Sequence, residues 1–147
     1  MSRTTFAPLA SGAAHDVLRL ALDAAALPTD DLDRPGRAFF GLSDEKGPIG
    51  FVGLEGDGAD RLLRSLVVLP SRKRQGHGGL LVAHVEALAR RDAVERLHLL
   101  TNTVADFFRA RGYRPASRAD APAPIAATAQ FSSLCPGSAA YLVKEMA

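Results

Sequence analysis

A chain of 147 residues, 47% hydrophobic and 23% charged, has the makeup of one globular domain able to bury its own core. Its formal charge of +2 is spread over Lys and Arg interleaved with Asp and Glu, so no basic run follows a nucleic-acid backbone. The densest cluster, Arg72-Lys73-Arg74, suits a polyanionic small molecule better than a duplex. Cys135 is the only cysteine, which excludes an internal disulfide and a cysteine-based zinc site. Neither a signal-peptide core nor a membrane-length apolar stretch is present, so cytoplasm is the default compartment.

The first predicted element is a helix over residues 15–26, where Leu18, Leu22 and Ala25 recur at helical spacing and Pro28 closes the segment. Residues 29–32 read as a second short helical turn. The apolar runs 38–42 and 49–54, separated by Ser43-Asp44-Glu45-Lys46-Gly47-Pro48, read as two strands of a hairpin. Residues 62–69 form a third strand that Pro70 ends. After the turn of residues 71–78 comes a helix over 80–89, with Leu81, Val85 and Leu88 on one face, and then a strand at 97–100. Thr103 and Asp106 have capping-box spacing for a helix to about Arg111, with Gly112 as its C′ residue. Residues 115–128 read as a loop holding a short helix near 124–129, and residues 139–144 as the last strand. The pattern is a mixed α/β layer without repeats, one domain over residues 1–147.

The most informative stretch is Leu66-Val67-Val68-Leu69-Pro70, then Lys73-Arg74-Gln75-Gly76-His77-Gly78-Gly79, then helix. A strand that ends in a glycine-rich turn opening a helix traps anions. The first helical turn leaves amides without partners, the helix dipole is positive there, and glycine lets backbone approach a phosphate closely. A glycine turn alone is common and weak evidence. No Gly-Lys-Ser/Thr follows, and the dinucleotide fingerprint lacks its third glycine.

These residues resemble the GNAT acetyltransferases, whose strand ends Val-x-Pro before an Arg/Gln-x-x-Gly-x-Gly/Ala helix start. Here Val68-Leu69-Pro70 precedes Lys73-Arg74-Gln75-Gly76-His77-Gly78, with Lys73 where the family has Arg or Gln. A second block is similar to the family's Asn-x-x-Ala-x-x-aromatic-aromatic-x-x-x-Gly-aromatic, as Asn102, Ala105, Phe107, Phe108, Gly112 and Tyr113. The resemblance implies an α/β GNAT fold, a mixed and mostly antiparallel central sheet with splayed strands flanked by helices. It implies acetyl-CoA as co-substrate, with pantetheine along Val67 and Val68 and pyrophosphate on the amides of residues 74–79. Lys73, Arg74, Gln75, Gly76, His77, Gly78, Gly79, Asn102, Phe107 and Phe108 complete the expected coenzyme site. A narrower likeness, in Arg64-Ser65-Leu66-Val67-Val68, Leu99-Leu100-Thr101-Asn102-Thr103 and Phe131-Ser132-Ser133-Leu134-Cys135-Pro136, is to the arsenic-resistance-associated N-acetyltransferases.

Acetyl transfer needs a neutral amine, an oxyanion donor and a leaving group. A backbone N–H near Val68 or Leu69 is the expected donor. Phe108 stands where many family members carry a tyrosine acid, and a thiol of pKa about 8.5 leaves tolerably without one. Glu55 is the acid expected near the cleft, though it reads more readily as a solvated hairpin residue, and ordered water can replace it as base. Arg64 and Ser65, on adjacent faces of one strand, and Ser133 are the expected acceptor contacts, with Arg64 suited to an oxyanion. The expected acceptor is an amino-acid-like small-molecule amine, with arsenical and phosphinic amino acids among the candidates, and peptide acetylation or a non-catalytic coenzyme-binding module as rivals. A homodimer is left open, and no metal, membrane or nucleic-acid partner is expected.

Overall fold

The computed structural model of the chain describes residues 3–9, 13–32, 34–134 and 139–146. In chain order its elements are β1 (Thr5–Pro8), α1 (Ala13–Ala24), β2 (Arg37–Asp44), β3 (Gly47–Glu55), β4 (Asp60–Val68), α2 (His77–Arg91), β5 (Arg96–Thr101), α3 (Ala105–Arg109), β6 (Arg114–Pro115), α4 (Ala123–Ala126) and β7 (Ala140–Glu145). The strands form one sheet in the order β1-β2-β3-β4-β5-β7-β6. Among the described residues only β4 and β5 run parallel, and α2 is their crossover.

Strand alternation sends one set of side chains to each face. On one face Leu54, Leu63, Leu97, Leu99 and Leu142 meet Leu81, Val82, Val85 and Ala89 of α2. On the other Phe39, Phe51 and Val67 pack on Leu18 and Leu22 of α1. Each such aliphatic side chain contributes about 1.5–3 kcal/mol by leaving water.

Several boundaries differ from the sequence reading. β1 was not anticipated, because a four-residue edge strand ending in Pro8 has no period to read; it pairs with β2 from Thr5↔Ser43 to Pro8↔Phe40. β6 is two residues long and equally silent. Residues 29–32 make a turn rather than a helix, held by a long Leu32 N–H to Thr29 carbonyl bond of 3.4 Å. The capping box does not form. α3 starts at Ala105 with Val104 as its N-cap and no side-chain cap, and Thr101 Oγ1 instead accepts the Val104 N–H at 3.2 Å. The short helix expected near 124–129 is α4, one residue earlier, followed by a π-helical turn at Gln130–Leu134.

Candidate active site

The site begins with a defect in β4. Its pairing with β3 slips between Phe51 and Gly53, and Ser65 has φ +59. A bulge of this kind bends its strand and sharpens the twist. β4 and β5 pair from Asp60↔Arg96 to Leu62↔His98 and then diverge. Between them opens a cleft of about 690 Å³ lined by Leu66, Val67, Val68, Lys73, Leu100 and Asn102, among others.

The exposed edge of β4 carries usable backbone. Leu69 N–H bonds the Ile49 carbonyl at 2.8 Å across the β3 edge, so it is spent and is not an oxyanion donor. Alternation then turns the Val68 N–H and C=O the other way, into the cleft where pairing with β5 has ceased.

Beyond the cleft lies the turn into α2. Arg74 has φ +66, and Gly76, the N-cap, has φ +78 with no side-chain cap. The first intrahelical bond here runs from Leu80 N–H to the Gly76 carbonyl. The amides of residues 77–79 therefore start the helix without backbone partners of that kind, at its positive end. Gln75 and His77 line an adjoining depression of about 550 Å³ with Asp44, Lys46 and Arg72. Phe107 lies against Gly78, whose added Cβ would meet the ring at 3.3 Å. Arg111 stacks over Phe107, 3.8 Å from the ring centroid, and reaches the Gly79 backbone. Lys46 and Arg111 were not anticipated. Lys46 sits in a hairpin turn, and only the Arg-Gly ending of the second block hinted at Arg111.

A smaller pocket of about 80 Å³ continues inward. It shares Leu27, Pro28, Leu66, Leu100, Thr101 and Val104 with the cleft and adds Arg64, Ser65, Phe108 and Gln130. Phe108, 3% exposed, packs edge-on against Phe107 and Tyr113. No hydroxyl stands at its tip.

Two expectations need correction. Arg64 is not a free anion anchor. Its side chain is fully buried, bonding Asp31 through both Nη atoms at 2.5 Å, Glu55 at 2.8 Å and Ser65 Oγ through Nε at 3.2 Å. Nor is Glu55 a free base, since Arg64 and Arg37 both hold it and it lines neither the cleft nor the inner pocket. Asp31 adds a second contact to Arg37, at 3.0 Å, so two guanidiniums and two carboxylates cancel. Burial opposes ionisation of Asp31, but the guanidiniums of Arg64 and Arg37 outweigh it and hold the carboxyl below its ordinary value. Arg64 is likewise opposed by burial and raised on balance by Asp31 and Glu55. The sequence puts Arg64 and Ser65 on adjacent faces of one strand, with only one able to point at an acceptor; the bulge brings the two side chains into contact. Ser133's side chain and Cys135 lie outside what is described.

Tyr141 lines neither the cleft nor the inner pocket. Its hydroxyl meets His98 Nδ1 at 2.7 Å, and His98 Nε2 meets Asp60 at 2.7 Å. Burial first, then the Asp60 charge, push the phenol up. This chain borders a separate depression with Arg96 and Arg114. Among the described residues no helix is long and apolar enough to cross a membrane, and no group of three or more His, Cys, Asp or Glu side chains is placed to hold a metal ion.

The parallel pair β4 and β5 is splayed by a bulge, and a glycine-started helix stands at its open end. The family model described as an acetyltransferase (GNAT) domain matches residues 35–115, more than half of the chain, and the chain belongs to that family. The chain is 39% identical over 61 residues to an amino-acid acetyltransferase of Ectopseudomonas mendocina (strain ymp), across 42% of this chain and 14% of that protein. N-acetylglutamate synthase from Neisseria gonorrhoeae, solved with coenzyme A and N-acetyl-glutamate, superposes with a TM-score of 0.79 at 18% identity. The match covers 100% of this chain and 36% of that one, so the chain spans about a third of that synthase's length. A GNAT-family acetyltransferase from Staphylococcus aureus Mu50 superposes with a TM-score of 0.75 at 15% identity, over 99% of this chain and 100% of that one.

Proposed function

We propose that the chain, as one domain over residues 1–147, moves acetyl from acetyl-CoA to the amine of a small amino-acid-like molecule. The observation that carries this is the cleft between β4 and β5, bordered by Lys73 of the turn that leads into α2 and sharing lining residues with the inner pocket. Pantetheine would run along β4, bonding the free backbone edge at Val68 with Val67 beside it. Pyrophosphate would take the amides of residues 74–79, with Lys73, Arg74, Gln75 and His77 around it and Arg111 as a further cation. Asn102 would face the arm from the opposite wall, and Phe107 would support Gly78.

The thioester carbonyl would then lie where the Val68 N–H can stabilise its developing oxyanion. A neutral amine attacks that carbon, the C–S bond breaks, and the thiolate leaves beside Phe108. An amine of pKa about 10 costs roughly 4 kcal/mol to deprotonate at pH 7. Glu55 is engaged by two cations, so water carries that proton in this reading. The likeness to arsenic-resistance-associated acetyltransferases narrows the acceptor to an amino acid bearing a carboxyl, arsenic or phosphorus oxyacid. The small inner pocket favours such a molecule over a peptide.

Coenzyme A release across amino acids, their arsenical and phosphinic analogues and short peptides tests this. Acetyl-CoA binding without release on any amine would make the chain a binding module. Phe108→Tyr supplies the missing phenol and should raise turnover several-fold, roughly 2- to 10-fold, most visibly below a thiol pKa of about 8.5. A flat ratio of rates from acid to alkaline pH would mean that thiolate protonation does not limit the reaction.

A further inference from the structure

The inner pocket is lined by a buried glutamine that the proposed transfer does not use. Gln130 is 4% exposed, its carboxamide has no hydrogen-bond partner among the described residues, and it lines the pocket. Buried carboxamides are normally satisfied, so one left open toward a cavity asks what completes it. Its backbone is not loose. Thr128 Oγ donates to the Ile125 carbonyl at 2.7 Å and accepts the Phe131 N–H at 3.3 Å, and Phe131 packs edge-on against Tyr141. Gln130 opens the π-helical turn, an irregularity found disproportionately at functional sites.

Ser65 lines the same pocket. Its oxygen is approached by Arg64 Nε at 3.2 Å, so that oxygen accepts and its own proton is free to point into the pocket. Arg64 polarises that hydroxyl, while its net charge is cancelled by Asp31 and Glu55. The pocket therefore offers two neutral donors, the Gln130 amide and the Ser65 hydroxyl, with one acceptor, the Gln130 carbonyl, between walls of Leu66, Leu99 and Phe108.

We propose that Gln130 and Ser65 are the acceptor-recognition residues, which rests on the transfer reading above. The donors hold an oxyanion of the acceptor, a carboxylate in the simplest case. The Gln130 carbonyl takes an N–H of the same molecule's amine and aims its lone pair at the thioester. The ligand class is an α-amino acid or its oxyacid analogue, recognised without a free cation.

The test is Gln130→Leu, assayed by coenzyme A release with the common α-amino acids and their decarboxylated amines. The amino-acid KM should rise ~10- to 150-fold, the loss expected for one hydrogen bond to a charged group. KM for the decarboxylated amine should rise by only ~2- to 10-fold, since it loses just the N–H contact to the Gln130 carbonyl, and the calorimetric Kd for acetyl-CoA should stay within about twofold. The melting temperature should hold or rise, since an unpartnered buried amide has been removed. Gln130→Glu keeps the shape but sets a carboxylate against the acceptor's, and should lose at least as much. An unchanged amino-acid KM, an equal loss on both substrate classes, or amines turning over while no amino acid does would each overturn the assignment. A parent chain that failed to bind acetyl-CoA would instead overturn the transfer reading, and this one with it.

Discussion

Asp31→Asn should lower the melting temperature by ~6–20 °C while leaving acetyl-CoA affinity nearly unchanged. Asp31 is fully buried and accepts Arg64 through both oxygens, with Arg37 beside it. Removing one partner of a buried pair costs about 3–5 kcal/mol because the other charge stays behind, and each kcal/mol is worth about 2–4 °C in a domain of this size. The sign with pH follows from the depressed carboxyl. Its stabilising share is complete above the unfolded value of about 4 and disappears as pH falls through the lower folded value. Parent and variant melting temperatures should therefore converge in acid. Arg64→Gln should be as harmful, and the double variant should lose less than the sum, since the two deletions remove one interaction. Were Arg64 a free acceptor anchor, the acceptor constant would move and the melting temperature would not. Melting curves and steady-state kinetics on one set of variants separate the two readings.

The strand, glycine turn and helix were readable because that information is local. Val67-Val68-Leu69-Pro70 ends a strand by itself, and Gly76-His77-Gly78-Gly79 opens a helix by itself. The roles of Arg64 and Glu55 were misread because their decisive partner, Asp31, lies 33 residues from Arg64 in a turn without pattern. The bulge compounded this, since a period of two assigns Arg64 and Ser65 to opposite faces and a positive φ at Ser65 leaves no trace in hydrophobicity. Gln130 escaped notice because a glutamine in a Pro- and Ala-rich stretch reads as solvated loop. Only the packing of that segment over the inner pocket reveals that its amide is buried.

Gly76→Val should weaken acetyl-CoA binding by ~10- to 150-fold for each phosphate hydrogen bond lost, with the fold intact. Gly76 sits at φ +78 with open space around its missing Cβ, so valine would clash with nothing. The penalty is conformational, because the left-handed region costs an L-residue about 1–2 kcal/mol and a branched side chain more. The turn can relieve that strain by rotating the Gly76 peptide, at the expense of swinging the amides of residues 77–79 away from a phosphate. Gly76→Ala should show a smaller loss of the same kind. Gly36 supplies the control: its φ is +84, it too has open space, and it lies before β2 away from the cleft. Gly36→Val should carry comparable strain, seen as a lowered melting temperature, without loss of coenzyme affinity. Calorimetry giving parent-like affinity for a folded Gly76→Val chain would falsify the assignment of this turn to the pyrophosphate, and equal losses from both glycines would trace the effect to global strain instead.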